Sequence, residues 1–282
     1  MAAGLVGPDG ELSHSRQVPT PKTGDAESLF DCLASLMGEV RDEATSSDGL
    51  EPEACGVGCG GPMERDGETV SPLNIPAWRG FALRRRIAEA TGLPVCVDND
   101  AKALALAEGW RGAARGRRSY VAMVVSTGIG GGIVLDGRLL EGCSGNAGHI
   151  GHVIVEPGGR MCRCGARGCV EAEASGTAIE EITGRPAYAA EAEMVERSGT
   201  LVGRAVASAV SLLDLELAVV AGSVALGFGE PFFRAAQAEL ARRSRLEFTR
   251  GARIIPAGLA GAGPLVGAGA LAWQMLGMKV LS

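Results

Sequence analysis

The chain has 282 residues, of which 46% are hydrophobic and 21% charged, with a formal net charge of -6. This balance suits a soluble globular protein with a real core and argues against a nucleic-acid-binding surface, whose footprint is a basic face. No stretch is long and apolar enough to span a membrane, and MAAGLVGPDGEL lacks the basic-then-apolar order of a secretory leader, so a cytoplasmic protein is expected.

The start reads as a strand, a Pro-Asp-Gly turn and a return strand. Residues 26–44 place Leu29, Leu33, Leu36, Met37 and Val40 on one helical face, which predicts a packing helix. ACGVGCGGP is a short apolar run entering a Gly-rich turn, the kind of backbone that lines a pocket. FALRRRIAEATG reads as a helix closed by Gly92, LPVCVDND as a short buried strand, and AKALALAEGWRG as the next helix. Polar side chains where a parallel strand ends and a helix begins sit where open α/β sheets bind ligands. Asp98, Asn99 and Asp100 are therefore candidates for catalysis. Asp and Asn also favour helix N-caps, and one of these residues is expected to cap.

Arg111–Arg118 is a basic stretch that reads as a surface connection between domains. SYVAMVVSTGIGGGIVLDGRLLEG then predicts strand, Gly-rich turn, strand, Asp-Gly turn and strand. Thr127, Gly128, Gly130 and Gly131 would let backbone amides approach an anion closely. No helix follows these glycines, so the stretch is neither a Walker loop nor a dinucleotide-binding fingerprint. A plain Gly-rich hairpin is the alternative.

The stretch GNAGHIGHVIVEPGGRMCRCGARGCVE holds two of the three histidines and three of the eight cysteines. Cys162, Cys164 and Cys169 stand in a C-x-C-G-x-x-G-C pattern, and His152 lies ten residues before the first. One imidazole and three thiolates form a tetrahedral zinc set, and with every position supplied by protein the site is structural rather than catalytic. A cluster of ordinary buried thiols is the competing reading, against which the segment is rich in Gly and Arg. Beyond it, ASGTAIEEITG predicts a helix capped by Ser175 or Thr177. GTLVGRAVASAVSLLD predicts a longer apolar helix, and LELAVVAGSVALG a buried strand with a turn at Gly222 and Ser223. A helix, a strand, a Gly-rich link and a final apolar helix close the chain.

These motifs resemble the ROK family (repressors, open reading frames and sugar kinases). HIGH followed by CRCGARGCVE is similar to the family's E-x-G-H and C-x-C-G-x-x-G-C-x-E. The resemblance implies that His152 binds zinc and also helps hold a sugar, and that Glu171 binds sugar hydroxyls. His149 stands where the family has Glu, a change that falls on a sugar contact. CGVGCGGP and SPLNIPAW resemble the family's G-V-G-x-x-G-P and P-N-x-P-G-W, which puts Gly61 and Asn74 beside the sugar. VDNDAKALALAE resembles V-x-N-D-A-N-x-A-A-x-x-E, which makes Asn99 a sugar contact and Asp100 the catalytic base, with Lys102 in place of the second Asn. STGIGGGI matches the family's second phosphate loop, so Thr127, Gly128, Gly130 and Gly131 are expected on ATP, with Gly222 and Ser223 near its adenosine.

The implied fold is an α/β actin-like ATPase (ribonuclease H-like) of two domains with a structural zinc knuckle. Residues 1–115, joined by a C-terminal helix over 266–282, would form the N-terminal domain, and 116–265 the C-terminal one. The implied activity is ATP-dependent phosphorylation of a hexose or N-acetylhexosamine, with Mg2+ arriving on the ATP and zinc as a scaffold, in a homodimer or homotetramer. Family kinases open with a strand and a D-x-G-G-T-K loop, and this sequence is expected to start just after that loop. The alternative expectation is a non-catalytic sugar-binding or regulatory ROK protein.

Overall fold

The computed structural model describes residues 1–21 and 24–281. It opens on an antiparallel pair, β1 (Ala2–Val6) and β2 (Leu12–Gln17), with a register shift between Ala3 and Leu5. Helix α1 (Ala26–Asp48) starts at Asp25, whose carboxylate accepts from the Ser28 amide, and ends at Gly49 in the left-handed conformation. Next come β3 (Cys55–Cys59), α2 (Leu83–Thr91), β4 (Val95–Asn99) and α3 (Asp100–Trp110). Strands β3 and β4 are parallel, with Cys59 opposite Asn99.

The following segment carries β5 (Tyr120–Val125), β6 (Ile129–Leu135) and β7 (Arg138–Leu139). After the cysteine-rich stretch come α4 (Val170–Ala174), α5 (Gly176–Thr183), α6 (Ala192–Leu213), β8 (Leu217–Ala221), α7 (Ser223–Phe228), α8 (Glu230–Arg243) and β9 (Arg253–Pro256). Helix α9 (Gly263–Met275) is the last regular element among the described residues.

The chain divides into two compact units. The first comprises Met1–Arg111, Glu141–Ala147 and Gly261–Ser282, and the second Gly112–Leu140 and Gly148–Ala260. In the first, α9 lies against α3, β1 and β3, and the Trp273 indole donates to the Val6 carbonyl at 2.9 Å. This approach is close because the facing residues are small. A Cβ on Gly56 would fall 1.8 Å from the Ala268 carbonyl oxygen, and one on Gly267 would fall 2.3 Å from that of Ala103. Where α9 meets α3 and β3, backbones are thus brought together rather than held apart by large side chains.

The second unit is built on a five-stranded sheet of order β7-β6-β5-β8-β9. Strands β5, β8 and β9 run parallel, and β6 is antiparallel to both its neighbours. Val121, Met123, Val220, Val202, Val206 and Phe232 lie in its core. Among the described residues no helix is long and apolar enough to cross a membrane.

Two boundaries differ from expectation. Residues 141–147 were expected in the second domain but belong to the first unit. Side-chain anchors cause this: Lys102 pairs with Glu141, and Asn146 exchanges hydrogen bonds with the Met63 backbone. The terminal helix was expected over 266–282, whereas α9 covers Gly263–Met275 and residue 282 lies outside the described residues.

Candidate functional site

In the first unit the polar residues gather at the carboxyl ends of β3 and β4. The parallel register sets Cys59 beside Asn99, so the turn at Gly60 and Gly61 leaves the sheet next to the start of α3. Asn74 comes back to this turn, its Oδ1 3.4 Å from the place a Gly60 Cβ would take. Asn99 is the capping residue, its Oδ1 accepting from the Ala101 amide at 3.0 Å. That leaves Asp100 as the exposed carboxylate on the first turn of α3, where the N-terminal end of the helix dipole favours negative charge. Asp98 faces the other way. Its Oδ1 accepts from the Asn99 amide at 2.7 Å and its Oδ2 pairs with Lys102 at 2.9 Å. Burial pushes the Asp98 carboxyl up, and the bond from Lys102 draws it back. Cys59 sits buried beneath the site, its thiol pushed up to about 12 by burial and then by the charge of Asp100. The motif resemblance assigns Asn99 to the sugar and Asp100 to catalysis, and one of the three residues is expected to cap; here Asp98 braces, Asn99 caps and Asp100 is exposed.

In the second unit His152, Cys162, Cys164 and Cys169 converge, each offering one ligand atom, with all four atoms within 4.8 Å of one another. His152 comes from a short turn, Ile150–His152, and Cys169 leads into α4. The Cys162 Sγ lies 3.6 Å from the His152 Nδ1, and the Cys164 and Cys169 sulfurs are 3.7 Å apart. A tetrahedral zinc with bonds of about 2.3 Å to sulfur and about 2.0 Å to nitrogen sets its ligand atoms about 3.5–3.8 Å apart. The donor set and its spacing are compatible with zinc.

The backbone explains how three thiols reach one point. The Cys162 amide donates to the Ala166 carbonyl and the Gly165 amide to that of Cys162, closing a tight turn. Gly168, at φ 76°, then brings the chain against Glu156 so closely that a Cβ would fall 1.8 Å from the Glu156 carbonyl oxygen. Burial pushes the Cys162 thiol up and that of Cys169 up to about 12, while the Ala166 amide draws Cys164 down. His149 is exposed, its ring centroid 6.0 Å from that of His152.

The Gly-rich hairpin joins β5 to β6. Thr127 and Gly128 form its turn, whereas Gly130 and Gly131 lie inside β6, opposite Val124 and Met123. Their backbones are in the ladder, and Gly131 has a packing reason for lacking a side chain: a Cβ there would fall 2.7 Å from the Ile150 Cγ2. The turn is pinned on three sides. The Gly176 amide donates to the Ser126 carbonyl at 2.7 Å, Thr177 donates through its hydroxyl to Thr127, and the Ser126 and Ser223 hydroxyls meet at 2.9 Å. Gly222, at φ 102°, lies against the end of β5, where a Cβ would fall 2.3 Å from the Val125 carbonyl oxygen. Thr127, Gly128, Gly222 and Ser223 are thereby brought to one end of the sheet. Glu171, on the first turn of α4, reaches the same loop and accepts from the Ile129 amide at 2.9 Å.

The sequence shows Lys102 only as a departure from a motif and gives no role to Glu173. Lys102 is buried in α3 between Ala101 and Ala103, and only its place beside the Asp-Asn-Asp run could have signalled a role. Glu173 is buried and holds the knuckle's approach, accepting from the Arg160 amide at 2.6 Å and pairing with Arg197.

Comparison with known proteins places this geometry. The ROK family model matches residues 1–275. A glucokinase of Thermotoga maritima is 42% identical over 180 residues, 63% of this chain and 55% of that protein. The chain thus aligns with little more than half the length of that relative. An N-acetylmannosamine kinase of Escherichia fergusonii is 35% identical over 246 residues, 81% of each chain. The ROK hexokinase structure from Thermus thermophilus superimposes with a TM-score of 0.83 at 35% identity, covering 98% of this chain and 96% of the other. The actin-like ATPase fold of ROK sugar kinases is therefore the fold of this chain. On the family match and on these identities together, the chain belongs to the ROK family.

Proposed function

We propose that the protein is an ATP-dependent sugar kinase that phosphorylates a hexose or an N-acetylhexosamine. One observation carries this reading within a ROK chain: Asp100 is an exposed carboxylate at the carboxyl end of a parallel strand, beside Asn99. Asp100 is the general base. As the sugar hydroxyl oxygen bonds to the γ-phosphorus, the bond from that phosphorus to the ADP oxygen breaks and the hydroxyl proton passes to the Asp100 carboxylate. Gly61, Asn74 and Asn99 of the first unit are assigned to sugar hydroxyls, and so are His149, His152 and Glu171 of the second. His149 in place of a carboxylate adds a group that can both donate and accept, which selects a hydroxyl pattern different from that of a Glu.

Thr127 and Gly128 in the turn are assigned to the ATP phosphates, with Gly130 and Gly131 at the start of β6 behind them and Gly222 and Ser223 near the adenosine. The pinning of the Thr127–Gly128 turn supports this, because a phosphate loop must be held before the charge arrives. The Mg2+ that accompanies ATP neutralises phosphate charge. His152, Cys162, Cys164 and Cys169 would hold a structural zinc, which fixes the turn bearing His152 and the helix bearing Glu171. The spacings of the four donor atoms support that assignment.

The test is sugar-dependent ADP release across a panel of hexoses and N-acetylhexosamines, with zinc measured on the purified protein. Release with one sugar class and one zinc per chain is expected. Sugar binding without ADP release on any member would overturn the kinase reading in favour of a sugar-binding protein.

A further inference from the structure

We propose that Lys102 is a positioning residue. Its buried ammonium clamps the strap of residues 141–147 beside the strand end that carries Asn99 and Asp100, and so holds that end in sugar-binding geometry. The inference rests on the sugar-kinase reading and deepens it.

Lys102 is 1% exposed, while its partners Asp98 and Glu141 are 16% and 60% exposed. An ammonium has three donors, and each is used: on the Asp98 Oδ2 at 2.9 Å, on the Glu141 carboxylate, and on the Gly145 carbonyl at 3.2 Å. Packing alone does not call for this arrangement. The neighbouring buried positions of α3 are filled by Ala101, Ala103, Leu104, Ala105 and Leu106, and an apolar side chain is in general at least as stabilising as a buried ion pair. A charge kept there needs another purpose.

Two sets of bonds supply one. Toward the site, the carboxylate that receives the ammonium also accepts from the Asn99 amide at 2.7 Å. Asn99 in turn caps α3 through the Ala101 amide. Lys102 therefore braces the backbone at Asn99, one of the residues proposed to touch sugar, immediately before Asp100. Toward the strap, Lys102 holds Glu141 and Gly145, and the second anchor is Asn146. Its Nδ2 donates to the Met63 carbonyl at 3.0 Å and its Oδ1 accepts from the Met63 amide at 3.4 Å. Met63 stands two residues beyond Gly61, so both anchors of the strap end at the segments that form the strand-end site. The Ala147 amide closes the strap on the Glu141 carbonyl at 3.1 Å.

The test uses Glu141→Gln and Lys102→Met in the full chain. Glu141 is largely exposed, so its variant is expected to fold with an unchanged Tm and to isolate the clamp. Loss of a charge-assisted bond predicts a rise of about tenfold in the sugar KM with the ATP KM within about twofold. Lys102→Met should move the same constant further in the same direction, and the double variant should be no worse than Lys102→Met alone, because both remove one interaction. An unchanged sugar KM in both single variants would overturn the proposal. So would sugar and ATP constants that rise together in step with a falling Tm. If the parent chain turns over no sugar, the kinase reading fails and the clamp is judged by amide exchange at Met63 and Ala147. Exchange accelerated about tenfold in Glu141→Gln supports the clamp, and unchanged exchange overturns it.

Discussion

The Glu171 carboxylate accepts a hydrogen bond from the Ile129 backbone amide at 2.9 Å. The helix that leaves the cysteine knuckle is thereby tied to the first residue of β6, one step past the Gly128 turn. A Cβ on Gly128 would fall 2.9 Å from the same carboxylate oxygen, so any side chain there would push Glu171 off its bond. One side chain thus serves two proposed sites, sugar through its carboxylate and phosphate through the loop it holds.

This double duty separates two substitutions. Glu171→Gln keeps an amide oxygen that can accept from Ile129, so the loop stays in place. The sugar KM should rise about tenfold while the ATP KM stays within about twofold. Glu171→Ala removes the acceptor and should raise both constants. Steady-state kinetics in each substrate check this, and equal effects of Gln and Ala on ATP would show that the Ile129 bond does not hold the loop.

The knuckle makes a second prediction. Cys164→Ser should lose most of the zinc, and sugar affinity should fall about 10- to 100-fold with it, since His152 and Glu171 lose their scaffold. Metal analysis beside sugar titration reads both. Zinc content equal to that of the wild type would reject the ligand set.

Gly168→Ala tests the backbone of the knuckle rather than its ligands. The residue sits at φ 76° with the Glu156 carbonyl oxygen 1.8 Å from any Cβ, so the chain must shift to admit the methyl group. A destabilisation of about 2–4 kcal/mol is expected, with zinc lost in parallel. Thermal unfolding monitored with and without added zinc measures it.

Acid stability depends on Glu239. Burial alone would raise its carboxyl, but hydrogen bonds from Arg243, Arg204 and Arg242 outweigh that and hold it down at about 2. A carboxyl lower in the folded than in the unfolded chain adds stability that is fully present above its ordinary value of 4.5 and is lost as pH falls toward 2. Denaturant melts between pH 5 and pH 2 should show stability falling with pH. Glu239→Gln should flatten that dependence while lowering stability at neutral pH, because three guanidiniums lose their shared anion.

The local signals were strong where side-chain chemistry or turn residues speak for themselves. Gly92 ends α2, Ser175 caps α5 through the Ala178 amide, and the Asp-Asn-Asp run ends β4. The pattern around Cys162 declared a convergent ligand set because its spacing is itself the geometry. What stayed hidden depends on partners distant in sequence. Residues 141–147 fall within the expected range 116–265, whereas they group with the first unit, where they bond to Lys102 and Met63. Gly131 read as a phosphate-facing glycine, but the structure gives it the separate task of admitting Ile150. Lys102 read as a departure from a motif because, beyond Asp98 four residues before it, nothing local shows that Glu141 and the Gly145 carbonyl await it.

The central claim, that Asp100 is the base of a sugar kinase, is tested most directly by Asp100→Asn on the sugar turned over fastest by the wild-type protein. The measurement pairs kcat from ADP release with the sugar Kd from calorimetry. The account predicts that kcat falls by about 10²- to 10⁴-fold, the usual worth of a general base, with the Kd within about threefold. A kcat close to that of the wild type, or a loss of sugar binding large enough to explain the fall, would contradict it.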